Sequence, residues 1–421
     1  MTSKDFRILS LDGGGTFCLA QARALAELFG ADTPGHQVLS HFKLAAGTSG
    51  GSFVLGALAN NRSPADIVRK FDDESNRKRF FSKLPVWKRW TSVLSAGRLG
   101  TRYDVKSKKA FITETLGETG GKSLAELGRN AQLPALLIVG YDYQFDRAKL
   151  LRSRPDSPAA NFPRDDGRTT LAEAVDLSTH APVNWFDGVS KPAGSRTPGY
   201  WDGALTGFNN PVQLAVSEAI GNGVPRESIG VLSIGTGHCM LLPHADPADE
   251  AYKVELKSSS LLNDLTKVAR AIIAEPPDAD SYLAHLSLTG AVPTAEGQTL
   301  DSPVIRCSPL IHPLHAPGQW GPPPGFASAV EFRRLVKMDI SATADADVAL
   351  ISRLIDNWIA GRSQNQPLRR AGDYFRLEGG HWNEARCCEI GHPRFADAKA
   401  AWLRMCASSP TPLQDDEAWA S

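Results

Sequence analysis

The sequence predicts an α/β fold with a mostly parallel central sheet covered by helices, on three observations. Phe6 to Leu11 (FRILSL) is an apolar run that meets glycines and passes into a helical pattern from Leu19. Phe42 to Ala46 (FKLAA) repeats the arrangement, with GTSGG as its turn and Phe53 to Ala59 as its helix. Further short apolar, β-branched runs recur along the 421 residues, as strands buried on both faces require.

The elements follow in order. After the first strand, Leu19, Ala22, Leu25, Ala26 and Phe29 recur at the spacing of one helix face. Ala135 to Val139, Ile229 to Ile234, Pro303 to Cys307 and Tyr374 to Leu377 read as further strands. Leu124 to Leu127, Val212 to Ile220, Ala329 to Lys337 and Val348 to Ile359 read as helical. Arg152 to Arg168, rich in Pro, Asp and Arg, reads as loop, as does Ser308 to Gly325, whose QWGPPPG suits neither a helix nor a central strand. No internal repeat is visible.

Length favours one large domain with additions, or two. The expected division is a catalytic core over 1–240 carrying a basic, aromatic insertion at 60–110, then a C-terminal part over 241–410 packed on or completing the same domain. Residues 411–421 read as a flexible tail. Lys plus Arg and Asp plus Glu both number 46, and the pI is near 7.1, so no global charge argues for a nucleic acid polymer. The six cysteines show no CxxC pair or metal spacing and read as reduced thiols of a cytoplasmic protein. The N-terminus lacks the pattern of a secretory signal, and no apolar run approaches the roughly 20 residues of a membrane span.

Three motifs carry chemistry. Gly47-Thr48-Ser49-Gly50-Gly51 fits G-x-S-x-G, a tight turn that projects a serine between strand end and helix start; a chemically silent βα turn is the alternative. Asp12-Gly13-Gly14-Gly15 ends the first strand, where glycine amides at a helix start suit an anion, either a phosphate or a tetrahedral oxyanion. Asp202-Gly203-Ala204, followed by Asn209-Asn210-Pro211, supplies a carboxylate; burial would raise its pKa toward that of a useful base, although a DG pair alone is commonly a turn.

Taken together and in this order, these motifs resemble the patatin-like phospholipases. Ser178 to Pro182 (STHAP), Leu232 to Gly237 (LSIGTG) and the stretch from Tyr103-Asp104 to Leu127 are similar to further family segments, so the resemblance spans about Phe6 to Gly237. It implies a three-layer α/β/α fold with a helical insertion after the nucleophile helix and a C-terminal extension. It also implies Ser49 as nucleophile, Asp202 as base, and the amides of Gly13, Gly14, Gly15 and Gly50 as the oxyanion hole. One departure stands out: the family's glycine motif continues with glycine where this chain has Cys18.

His41, His180 and His238 could approach such a site, yet the resemblance assigns them no role, and satisfied structural histidines are the better expectation. LDGGGT also resembles the phosphate loop of actin-like-fold sugar and acetate kinases, but that reading leaves GTSGG and the DGA–NNP pair unexplained. A third reading is an inactive module that keeps the fold. The favoured activity is hydrolysis of fatty acyl esters by a Ser–Asp dyad, with no cofactor and no metal. Arg62 to Lys109 carries 14 Lys or Arg against five Asp or Glu, interleaved with Phe71, Phe80, Phe81, Trp87, Trp90 and Tyr103. A bilayer-docking face at the inner membrane surface is one reading of it; a solvated face with inward aromatics is the other. A gate formed by this insertion or by the chain after Gly237, answering a small-molecule activator or partner, is a further expectation.

Overall fold

The computed structural model describes residues 4–84, 103–154, 167–182, 185–186, 188–192, 199–260, 267, 278–316, 318–372 and 374–408. Its main sheet has seven strands. Six of them run β4-β3-β2-β1-β6-β7: Arg147–Arg152, Ala135–Asp142, Leu44–Thr48, Phe6–Leu11, Ile229–Ile234 and Val304–Cys307. The seventh, β5 (Tyr200–Asp202), pairs with the end of β3. The pairs among β3, β2, β1, β6 and β7 are parallel, while β4 and β5 both lie antiparallel to β3.

Successive side chains on a strand point to opposite faces, and here that alternation divides the core in two. Leu9, Leu11, Ile138, Leu232 and Ile305 face α1 (Leu19–Phe29), α2 (Gly50–Ala59) and two C-terminal helices, Asp345–Ile359 and Phe395–Ala407. Ile8, Ala46, Val139, Val231 and Val304 face the helix Val212–Gly221 on the other side. The result is the expected α/β/α arrangement, and each fully buried Leu, Ile or Val contributes about 1.5–3 kcal/mol. The chain after Gly237 adds a strand to this sheet, and Trp402 stacks on Phe42 with ring centroids 5.3 Å apart.

Register carries the functional motifs to one edge. Leu11 pairs with both Gly47 and Ile234, Thr48 pairs with Val139, and Gly140 pairs with Asp202. Asp12, Ser49 and Asp202 therefore emerge together at the carboxyl ends of the parallel strands, where open α/β sheets present their ligands.

Two expectations need correction. Tyr374 to Leu377 is not a strand: only Leu377–Glu378 pairs, in a two-stranded ribbon with His381–Trp382, while Tyr374 is buried through its hydroxyl bond to Gln364 and its ring contact with Trp382. The elbow strand begins at Leu44 rather than Phe42, since Phe42 turns into the aromatic cluster with Phe29 and Trp402. The chain within Ser308 to Gly325 also forms a short hairpin, Leu314–Ala316 with Gln319–Gly321.

Candidate active site

Ser49 sits at the turn between β2 and α2 with φ 49° and ψ −124°, a conformation that L-residues other than glycine seldom hold. The surroundings hold it there. Its amide donates to Ser178 Oγ at 2.9 Å, and Ser178 Oγ donates onward to the Val139 carbonyl at 2.5 Å. A side chain at Gly51 would collide with the carbonyl of Leu11, so α2 can approach the end of β1 this closely only with glycine.

Asp202 ends β5. Its amide donates to the His180 carbonyl at 3.0 Å, which fixes where the side chain leaves the backbone. Ser49 Oγ donates to Asp202 Oδ2 at 2.7 Å, and the Ala204 amide donates to Oδ1 at 2.9 Å. Burial pushes the Asp202 carboxyl up to about 6 from 3.8, against the pull of the Ala204 and Ser49 hydrogen bonds and the charge of Lys108. A carboxylate in that range is ionised at neutral pH and still basic enough to accept a proton from a reacting hydroxyl.

Of the four amides suggested by sequence, the Gly13 amide already donates to the Asn209 carbonyl at 2.9 Å. Those of Gly14, Gly15 and Gly50 make no hydrogen bond to the described residues, as befits the first turns of the helices they open. The Gly15 nitrogen lies 3.1 Å from where a Gly50 Cβ would sit, so loop and elbow abut. Cys18 fits because Gly50 has no side chain: its buried sulfur occupies the space that a Gly50 Cβ would claim.

The Asp12 carboxylate is committed elsewhere. Arg306, from β7, grips it through both nitrogens at 2.8 and 2.5 Å and also donates to Ser233 Oγ. A phosphate-loop aspartate would have to face metal and phosphate, so this pairing argues against the kinase reading. Sequence reasoning missed Arg306, although a charged residue inside the apolar run Val304–Cys307 demands a buried partner. It also missed Lys108, whose place is legible: Lys108, Phe111, Ile112, Thr115 and Leu116 form one buried helical stripe within Val105–Gly121.

The space beside Ser49 measures about 50 Å³ and is walled by aromatic rings, among them Phe53, Phe71, Phe80, Phe81, Phe111 and Phe186. Ile340 closes one side of it. The chain around Ile340 lies across the glycine loop: the Thr16 amide and hydroxyl donate to the Ile340 and Ala342 carbonyls, both at 2.8 Å, and Tyr103 Oη meets Ser341 Oγ at 2.7 Å. Arg77 ties the same segment down through Thr343 O at 3.0 Å and Asp345 at 2.5 Å.

The proposed bilayer face changes accordingly. Arg77 is buried, and Phe71, Phe80 and Phe81 line the cavity, so these residues belong to the interior. Lys78 pairs with Glu74 and Arg79 with Glu114, whereas Trp87, Lys88, Arg89 and Trp90 lie outside the described residues. His180 is held neutral, pushed down to about 3 by burial and the neighbouring Lys108, and burial pushes His238 down to about 4. Neither stands between Ser49 and Asp202, which bond directly.

Residues 9–216 match the family model described as patatin-like phospholipase. Among curated proteins, the chain is 27% identical over 241 residues to a Bacillus subtilis protein named as a sporulation hydrolase, CotR, covering 55% of this chain and 63% of that one. It is 26% identical over 234 residues to a Pseudomonas aeruginosa protein named as a cGAMP-activated phospholipase, covering 55% and 62%. The matches thus span somewhat less than two thirds of those relatives' lengths. Among solved structures, VipD from Legionella pneumophila aligns at 12% identity over 84% of this chain and 67% of that one, with a TM-score of 0.35.

Proposed function

From membership of the patatin-like phospholipase family through residues 9–216, we propose that this chain hydrolyses fatty acyl esters of phospholipids with Ser49 as nucleophile and Asp202 as its base. The observation that carries the reading is the 2.7 Å hydrogen bond from Ser49 Oγ to Asp202 Oδ2 at a strained elbow. As Oγ attacks the ester carbonyl, its proton passes to Asp202. The negative charge that develops on the carbonyl oxygen meets the open amides of Gly14, Gly15 and Gly50, each such donor being worth roughly 3 kcal/mol of barrier. Asp202 then returns the proton to the leaving alkoxide, giving a lysophospholipid and an acyl-serine. Water, deprotonated by Asp202, releases the fatty acid and restores Ser49.

Phospholipid supplied at a membrane surface suits the aromatic walls, since rings shed water readily against an acyl chain. A space of about 50 Å³ holds no such chain, so the walls must part, and the segment carrying Ile340 is the gate we assign. A small-molecule activator is consistent with the P. aeruginosa relative's name. The test is turnover of a p-nitrophenyl ester and of phospholipid vesicles by the full chain, together with fluorophosphonate labelling. Loss of all three in Ser49→Ala, with the fold retained by circular dichroism, is expected. An unlabelled Ser49 and turnover that survives its replacement would overturn the assignment, and a folded wild-type chain inert with and without candidate activators would favour the inactive module.

A further inference from the structure

Lys108 is fully buried, an uncommon place for an ammonium, and no step above uses it. Its Nζ lies 2.9 Å from Asp176 Oδ1, donates to the Asp176 carbonyl at 2.8 Å and faces His180 Nδ1 at 3.1 Å. It also sits 4.4 Å from the ring centroid of Phe186, which lines the Ser49 cavity. The His180 carbonyl accepts the Asp202 amide. The residue that Lys108 orients is therefore also the one that anchors Asp202.

We propose that Lys108 is a positioning residue for Asp202: its ammonium, held beneath the cavity by Asp176 and turned toward His180, keeps the Asp202 carboxylate anionic where water is excluded. The inference rests on Asp202 being the base of Ser49. A buried carboxylate favours its neutral form unless an opposite charge lies near. The titratable and charged groups around Asp202 are Cys18 from the glycine-loop side, Lys108 from Val105–Gly121, and His180, with Asp176 and Lys109 behind it; Lys70 and Arg77 line the same cavity. Burial, reinforced by Asp12 and Asp202, holds the Cys18 thiol in its neutral form, and His180 is neutral. Lys109 is half exposed and turned to Asp176. Arg77 is buried too, but it is paired with Asp345 and bonded to the Phe71 and Thr343 carbonyls, and Lys70 is only partly buried, which leaves Lys108 as the buried cation whose charge acts on Asp202. Burial pulls its own pKa down, and Asp176 opposes this.

The experiment is kcat/KM against pH for a p-nitrophenyl ester, on the full chain as wild type, Lys108→Met, Lys108→Met with Asp176→Asn, and Lys108→Arg. The double variant leaves no buried charge stranded and is expected to fold where Lys108→Met alone fails. In the Met variants the acidic limb is expected to move up by about one pH unit, a tenfold loss below the limb that fades above pH 8; Lys108→Arg restores the wild-type limb. An unmoved limb in a folded Met variant, or a loss equal at every pH, overturns the role of Lys108 alone. Absence of Ser49-dependent turnover in the wild type overturns Asp202 as base, and this inference with it.

Discussion

Arg306 holds both carboxylate oxygens of Asp12, at 2.8 and 2.5 Å, across 294 residues of chain. The pair locks the last strand of the sheet to the root of the glycine loop, and both partners are nearly inaccessible to solvent. Removing one member of a buried ion pair strands the other and costs about 3–5 kcal/mol. Arg306→Ala is expected to lower stability by that amount in chemical denaturation and to slow fluorophosphonate labelling of Ser49. Arg306→Lys should fall between, since an ammonium cannot grip both oxygens. A loss below about 1 kcal/mol would mean that the loop is held by other contacts.

The pH dependence of turnover follows from the burial of Asp202. A base must be ionised to accept the Ser49 proton, and burial pushes this carboxyl up to about 6. We expect kcat/KM to rise through pH 6 and level off above it, with no second limb that titrates as a histidine. A rise centred near pH 4, where an ordinary carboxyl titrates, would show that the site is wetter than the structure has it.

Stability should run the other way. Because the folded carboxyl is raised from 3.8 to about 6, Asp202 ionises first in the unfolded chain. Its contribution to stability is complete below pH 4 and is lost as the pH rises through 6. A shift of this size corresponds to on the order of 3 kcal/mol. Asp202→Asn, which buries no charge, should therefore be more stable than wild type at pH 8, with the advantage shrinking toward pH 4. Equal differences in melting temperature at both pH values would count against a buried, ionising Asp202.

Local signals made much of this legible. Ile229–Ile234 keeps the bounds its apolar run announced, and both strand, glycine turn, helix units appear where the pattern put them. Tyr374 misled because aromatic residues favour strands by burying area, which a ring cluster among loops does equally well. Arg147–Arg152 was overlooked for the opposite reason: it opens and closes on arginine, and Arg152 is neutralised by Glu218 at 2.8 Å. That partner lies 66 residues away, as Arg306 lies far from Asp12, and no local periodicity encodes such a pairing.

The segment across the glycine loop gives the last prediction. Ile340 presents its carbonyl to Thr16 and lines the Ser49 cavity, so trimming its side chain is expected to enlarge the cavity while the backbone bond at 2.8 Å remains. Ile340 is only partly buried, and its loss should cost less than the 2–5 kcal/mol of a fully buried Ile→Ala. Ile340→Ala is expected to raise kcat/KM for long-chain p-nitrophenyl esters several-fold relative to the acetate, because only the longer chain needs the space that the isoleucine fills. A ratio unchanged from wild type would mean that the acyl chain enters past other walls and that this segment does not gate the site.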